Sequence, residues 1–195
     1  QVLRAALNNR TRGVVGLDLA GDEANYSCLP YRDLFKRAKV AGLGVTIHAG
    51  EWADAISVWD AVGNLAADRV GHGIRVIHDE PMMHMLAERG VTLEVCPSSN
   101  VYSGIVPSLS SHPLKRLIEA GVPTTINTDD PSVCDITLSD EIAHTMSHMR
   151  VPLDQIKQMM MQAAEATFLP EAEQASLVTR FKSYMAAVKI SEKMS

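Results

Sequence analysis

Five short runs rich in Val, Ile and Leu alternate along this chain with stretches of helical periodicity. The apolar runs are "GVVGLDLAG" from Gly13, "GVTIHAG" from Gly44, "DRVGHGI" from Asp68, "GVTLEVCP" from Gly90 and "GVPTTINTDDP" from Gly121. Strands that alternate with helices favour a parallel sheet, because parallel neighbours need a long crossover connection. The chain is therefore expected to have an α/β fold.

Helical periodicity fills the gaps between these runs and continues after the last one. The predicted helices are 30–41, 53–66, 81–89 and 112–120 between strands, then 138–149, 152–166 and 170 to about 189 after the fifth strand. Gly42, Gly90 and Gly121 stand where three of these helices end, which is the usual place for a left-handed helix stop. The opening "QVLRAALNN" also has a helical pattern.

Composition narrows the class of protein. With 195 residues, of which 46% are hydrophobic, the chain can bury a core, and we expect a single domain, 1–195. The net charge of −5 comes from dispersed charges, which argues against nucleic acid as a partner, and no apolar run approaches the roughly 18 residues of a membrane span. The three cysteines favour free thiols and a cytoplasmic location over a disulfide framework.

Polar side chains capable of chemistry follow nearly every predicted strand. They are Asp18, Gly21 and Asp22 after the first, His48 and Glu51 after the second, His72 after the third, Ser98 to Asn100 after the fourth, and Asp129 and Asp130 after the fifth. A barrel collects its active site from many strand ends, whereas an open doubly wound sheet concentrates it at one switch point, often with a glycine-rich phosphate loop. Neither of the usual phosphate-loop motifs, G-x-G-x-x-G and G-x-x-x-x-G-K, occurs in this sequence. The pattern therefore favours a TIM-type (β/α)8 barrel.

Five strands are fewer than the eight that close such a barrel, and a complete barrel usually takes about 250 residues. The chain also begins without Met, within a helical pattern. We therefore expect strands 4 to 8 with their helices and additional C-terminal helices, as the C-terminal part of a metal-dependent hydrolase barrel. The uncovered edge of an incomplete parallel sheet is a candidate for self-association.

Each polar motif also has a purely structural interpretation. A strand-terminal histidine such as His48 can be a buried structural residue, "TDDP" can be a turn with a helix cap, and "VGHG" can be a tight strand exit. The whole set at one end of successive strands is harder to explain structurally, and it indicates a functional site.

Other candidates are better explained by local structure. His144 and His148 stand four apart on a predicted helix, a spacing that can hold a metal, but no third ligand is in view. Thr137 and Asp140 have capping-box spacing, which indicates a helix start. His78, His84 and His112 are given no role.

Five motifs together are similar to those of the adenosine deaminase family, within the amidohydrolase superfamily. They are "DLAGDE" at 18–23, "HAGE" at 48–51, "RVGHG" at 69–73, "CPSSN" at 96–100 and "NTDDP" at 127–131, and "AEATFLPEAE" resembles the closing region of the family. The resemblance implies a zinc-dependent hydrolase that converts a 6-aminopurine to the 6-oxo compound, most simply adenosine to inosine and ammonia in purine salvage. A purine nucleoside or base would be the partner.

The resemblance also implies a role for each matching residue. His48 and Asp129 would be ligands of one zinc ion, and Glu51 would be the proton shuttle. His72 would orient the attacking water. Asp130 would contact the purine N7 and the backbone N–H of Gly21 would contact N3, while Asp18 would support the zinc site without binding the metal.

The chain departs from the family in one respect. Members carry a His-x-His pair that supplies two further zinc ligands, and no His-x-His occurs in this sequence. Four alternatives therefore stay open beside adenosine deamination: adenine as the substrate, a modified adenosine as the substrate, a hydrolase of amides or esters from the same superfamily, and a catalytically inactive truncated chain.

Overall fold

The computed structural model of this protein describes residues 1–187 and is built on a five-stranded parallel sheet. The strands are β1 (Gly16–Leu19), β2 (Gly44–Ala49), β3 (Arg69–His72), β4 (Thr92–Val95) and β5 (Thr124–Ile126). Each lies within one of the five apolar runs, so these strand predictions are confirmed. All four neighbouring pairs are parallel, which confirms the predicted α/β sheet.

The strands lie in the sheet in the same order as in the sequence. This order is the order of a (β/α) barrel, because a doubly wound sheet reverses direction at a switch point. β1 and β5 form the two edges of the sheet in the described part of the chain. The fold is thus part of a barrel, and self-association through these edges stays a prediction.

Helices follow the strands at nearly all the predicted places. They are α1 (Val2–Asn8), α2 (Arg32–Val40), α3 (Ala55–Asn64), α4 (Glu80–Arg89), α5 (Pro97–Tyr102), α6 (Leu114–Glu119), α7 (Pro131–Cys134), α8 (Leu138–His148), α9 (Leu153–Glu165) and α10 (Glu171–Ala187). The two short helices α5 and α7 were not predicted. The predicted end of the last helix near Lys189 lies outside the described residues. Thr137 and Asp140 form the predicted capping box at the start of α8.

The two faces of the sheet differ in character because successive strand residues point to opposite sides. One face is apolar and packs into the main core beneath the helices; its fully buried members include Val45, Ile47, Val70, Leu93 and Val95. The other face is polar. There Arg69 Nε lies 3.1 Å from Thr46 Oγ1 and 3.1 Å from Glu94 Oε1, across three neighbouring strands. This polar face is the interior side of the partial barrel.

The amino-terminal end of the sheet is covered by Phe168. Its ring packs against the backbone of Gly16 and Gly44, and the guanidinium of Arg69 lies 3.9 Å from the ring centroid. A Cβ atom at Gly44 would overlap this ring, which explains the glycine that opens β2.

Two further predictions concern the cysteines and membrane association. Cys28, Cys96 and Cys134 are free thiols. Within residues 1–187, helices are too short or too polar to cross a lipid bilayer.

Candidate metal centre and active site

Three predicted site residues meet at the carboxyl-terminal edge of the sheet. Possible ligand atoms of His48, His72 and Asp129 all lie within 4.8 Å of one another. Glu51 joins them, because its Oε2 lies 3.4 Å from His72 Nε2, and Asp129 Oδ2 lies 3.7 Å from the same nitrogen. Imidazole and carboxylate groups at this separation can hold a divalent transition metal.

His48 is oriented by a carboxylate on the neighbouring strand. Its Nδ1 lies 3.1 Å from Asp18 Oδ1, and this bond is the main reason why the pKa of His48 is raised, against the effect of burial. When Nδ1–H donates to Asp18, the lone pair of Nε2 is left available for a metal. A carboxylate that orients a ligating histidine in this way is common in metal sites. Asp18 and His48 therefore fit a metal centre.

The two glycines of "VGHG" make room for a site residue, His48, and for a core residue, Leu93. A Cβ atom at Gly71 would lie 3.0 Å from His48 Nδ1, and one at Gly73, where φ is +68°, would lie 2.5 Å from Leu93 Cδ2. His72 between them has a φ of +60°, which is rare for a residue with a side chain. In the sheet, His72 pairs with Ala49, whose side chain faces the helices. The left-handed backbone of His72 turns its own ring away from the helices and towards Glu51.

Asp129 follows β5 and also has a left-handed backbone, with φ of +56°. Ser99 Oγ donates to its Oδ2 at 2.7 Å, which leaves Oδ1 available. A strained backbone costs about 1–3 kcal/mol and is concentrated at functional sites. His72 and Asp129 share this conformation within one cluster, and Ala66, Asp135 and Arg150 adopt it elsewhere.

Glu51 is held by a second carboxylate, Glu23, to which sequence reasoning gave no role. Glu23 accepts hydrogen bonds from the backbone N–H groups of Gly50 at 2.9 Å, Glu51 at 2.6 Å, Trp52 at 2.5 Å and Ala53 at 3.2 Å. The pKa of Glu51 is raised to about 7, mainly by burial and in addition by the negative charges of Asp129 and Glu23. Glu51 can therefore hold or release a proton near neutral pH.

The two predicted substrate contacts lie at the rim. Gly21 lines a cavity of about 550 Å³ together with His48, Ala49 and Asp60. Asp130 is exposed and directly follows Asp129, at the start of α7. The structure thus brings Asp18, His48, Glu51, His72 and Asp129 into contact with one another, and it places Gly21 and Asp130 beside them.

Two buried polar residues near the site, His112 and Glu141, were given no role by sequence reasoning, and Asn100 was noted only as one of the polar groups after the fourth strand. Asn100 and His112 form a hydrogen-bonded chain to His72. Glu141 accepts from the backbone N–H of Ser98 at 2.8 Å and from its hydroxyl at 2.5 Å, and it thereby holds the start of α5. The motif "CPSSN" had indicated only that polar groups follow the fourth strand.

A partial barrel with histidine and aspartate gathered at its carboxyl-terminal edge is the architecture of metal-dependent barrel hydrolases. The family model described as adenosine deaminase matches residues 1–184, and the chain belongs to the adenosine deaminase family. The adenosine deaminase of Klebsiella pneumoniae subsp. pneumoniae is 39% identical over 176 residues, which are 90% of this chain and 53% of that protein. The chain thus spans about half the length of the curated relatives it matches.

Solved structures show the same fold. The adenine deaminase from Arthrobacter aurescens is similar with a TM-score of 0.84 and 25% identity, over 94% of this chain and 58% of that chain. A cog1816 amidohydrolase from Burkholderia ambifaria, solved with bound Zn, has a TM-score of 0.84 and 23% identity, over 96% of this chain and 54% of that chain.

Proposed function

We propose that this chain supplies the metal-binding and proton-transferring part of a zinc-dependent deaminase that converts adenosine to inosine and ammonia. The observation that carries the proposal is the contact between the His48, His72 and Asp129 cluster and Glu51, whose pKa is raised by burial to about 7. Membership of the adenosine deaminase family supports the same reaction.

His48 through Nε2 and Asp129 through its carboxylate would hold the zinc ion. A zinc ion held there would supply the activation of water, whose pKa falls towards ~7 on binding to the metal, for attack on the purine C6. A catalytic zinc site normally has three or four protein ligands, and this assignment supplies two. Further ligands would have to reach the site from outside residues 1–187, and the free edges of β1 and β5 are where additional strands could pair.

Glu51 would act as the general acid and proton carrier. Attack at C6 places negative charge on N1 unless N1 receives a proton, and a carboxyl group that is protonated near neutral pH can give that proton and later pass one to the departing amine. His72 would orient the attacking water, with Asp130 at the purine N7 and the backbone N–H of Gly21 at N3. Positioning of this kind lowers the barrier by fixing the reacting atoms.

Adenine is the second candidate substrate, because an adenine deaminase is among the solved structures that this chain resembles. The decisive experiment measures ammonia release and the change in ultraviolet absorbance with adenosine and with adenine. It uses both the 195-residue chain and the complete product of the gene, each loaded with zinc. We expect the complete product to deaminate adenosine, and a chelator to remove the activity until zinc is restored.

Comparison of the two proteins in this assay distinguishes an error in the ligand assignment from an error in the proposed function. We expect the 195-residue chain alone to be inactive, because His48 and Asp129 are too few ligands. Activity of that chain would show that the ligand assignment is wrong. A zinc-loaded complete product that acts on neither purine would refute the proposed function.

A cytoplasmic location stays a prediction that rests on the free cysteines.

Replacement of Asp18 by Ala is expected to lower zinc affinity of the complete product about 10- to 100-fold, the usual effect of losing a carboxylate that orients a ligand histidine. Without Asp18, the ring of His48 loses the bond that fixes its orientation. Competition with a chromophoric chelator measures the affinity. The matched control is Asp33→Ala on α2, whose side chain is highly exposed; equal affinities of the two variants would contradict the role of Asp18.

A further inference from the structure

A continuous chain of buried hydrogen bonds leads from the first residue of α6 to the candidate metal site. The backbone N–H of Leu114 donates to His112 Nδ1 at 3.1 Å, and His112 Nε2 lies 3.2 Å from Asn100 Oδ1. Asn100 Nδ2 in turn lies 3.2 Å from His72 Nδ1. The exposed fractions are 6% for His112, 0% for Asn100 and 2% for His72. Water therefore has little access to these groups.

The hydrogen bond from Leu114 to His112 determines which group donates in the next bond, between His112 and Asn100. A backbone N–H can only donate, so His112 Nδ1 accepts through its lone pair and carries no proton. Burial lowers the pKa of His112 to about 4, which keeps the ring neutral near pH 7. A neutral imidazole without a proton on Nδ1 carries it on Nε2. His112 Nε2–H therefore donates to Asn100 Oδ1.

The orientation of the Asn100 amide then determines which group donates in the bond between Asn100 and His72. With its oxygen facing His112, its NH2 group faces His72 Nδ1, and its second hydrogen points towards Glu51 Oε1 at 3.5 Å. An NH2 group can only donate, so His72 Nδ1 accepts. The proton of a neutral His72 must then lie on Nε2, the nitrogen that faces Glu51 and Asp129.

We propose that Asn100 and His112 are positioning residues that fix His72 as the Nε2–H tautomer. A nitrogen that carries a proton has no lone pair for a metal, so His72 donates a hydrogen bond into the site and is not a third ligand, although its distance from His48 and Asp129 would allow coordination. The catalytic value of this arrangement rests on the proposed function. The tautomer does not, because it is set by groups within the chain.

The test reads the tautomer directly, by two-bond proton–nitrogen NMR correlations on the 195-residue chain with isotopically labelled histidine nitrogens at neutral pH. His72→Gln and His112→Gln assign the two resonances by their loss. We expect the proton of His72 on Nε2 and an unprotonated Nδ1. A proton on Nδ1 of His72 in the wild-type chain would overturn the proposal, and an inactive enzyme would not affect this measurement.

Asn100→Asp provides the sharpest variant. Aspartate has the shape of asparagine, but once ionised its carboxylate only accepts, so His72 would then have to place a proton on Nδ1. We expect His72 Nδ1 to become protonated in this variant. A folded Asn100→Asp chain in which His72 Nδ1 stays unprotonated, at a pH where the carbon chemical shift shows that the new carboxyl group is ionised, would overturn the proposal.

A second pair of variants decides the matter if Asn100→Asp does not fold. His112→Gln keeps an NH2 donor that can reach Asn100 Oδ1, whereas His112→Leu removes the donor and lets the amide of Asn100 turn over. We expect the Nε2–H tautomer of His72 to persist with Gln and to become mixed with Nδ1–H with Leu. The same unmixed tautomer in both would overturn the proposal. His84→Gln, on an exposed part of α4, is the control and should change nothing at His72.

Discussion

Glu51→Gln is expected to lower the deamination rate of the complete gene product by about 10²- to 10⁴-fold, the usual contribution of general acid–base catalysis. Glutamine has the size of glutamate and can still contact Asn100. It cannot, however, take up or release a proton. Because the pKa of Glu51 is raised to about 7, mainly by burial, the wild-type carboxyl group can take up and release a proton near neutral pH. The variant loses this ability.

The measurement combines turnover of adenosine with the zinc content of each protein. Zinc content should be unchanged, since Glu51 is not assigned as a ligand. Glu88→Gln is the matched control, because it makes the same chemical change on the exposed surface of α4, where Glu88 pairs with His84 at 3.1 Å. Full turnover by Glu51→Gln would mean that another group moves the proton.

The strands could be predicted because each is a short apolar run that ends in glycine or a polar residue, and the alternation with helices made the sheet parallel. The short helices α5 and α7 could not be predicted from periodicity. Each begins with a proline and is too short to show a helical repeat. The start of α5 depends on Glu141, 43 residues further along the chain, which no local pattern reveals.

The same distinction applies to the site. His48 and His72 are among the last residues of β2 and β3, and Asp129 follows β5 by three residues. Parallel strands bring these ends to one edge, so the proximity of the three residues could be predicted. Asn100 and His112 act through the side-chain bonds that link α5 to the segment before α6. Whether a histidine is buried and which of its nitrogens accepts a hydrogen bond are set by tertiary packing, so no local pattern distinguishes His112.

Glu23 is the clearest missed residue, because its partners are backbone N–H groups 27 to 30 residues away, which leave no mark on residue type. Glu23→Gln should therefore have a large effect. One carboxylate oxygen becomes an NH2 group that faces backbone donors, and a hydrogen bond to a charged group contributes about 1.5–3 kcal/mol. We expect the free energy of unfolding to fall by about 2 kcal/mol, the value that one such bond supplies. Urea denaturation measures it.

Asp22→Asn separates this effect from a general loss of charge. Asp22 is adjacent and exposed, and it accepts from Asn25 in its own turn. Exposed substitutions of this kind usually change stability by less than about 0.5 kcal/mol. Glu23→Gln should also reduce turnover, because the loop that carries Glu51 loses the anchor that orients it. Equal stability and turnover in the two variants would mean that β2 and α3 hold Glu51 in place without Glu23.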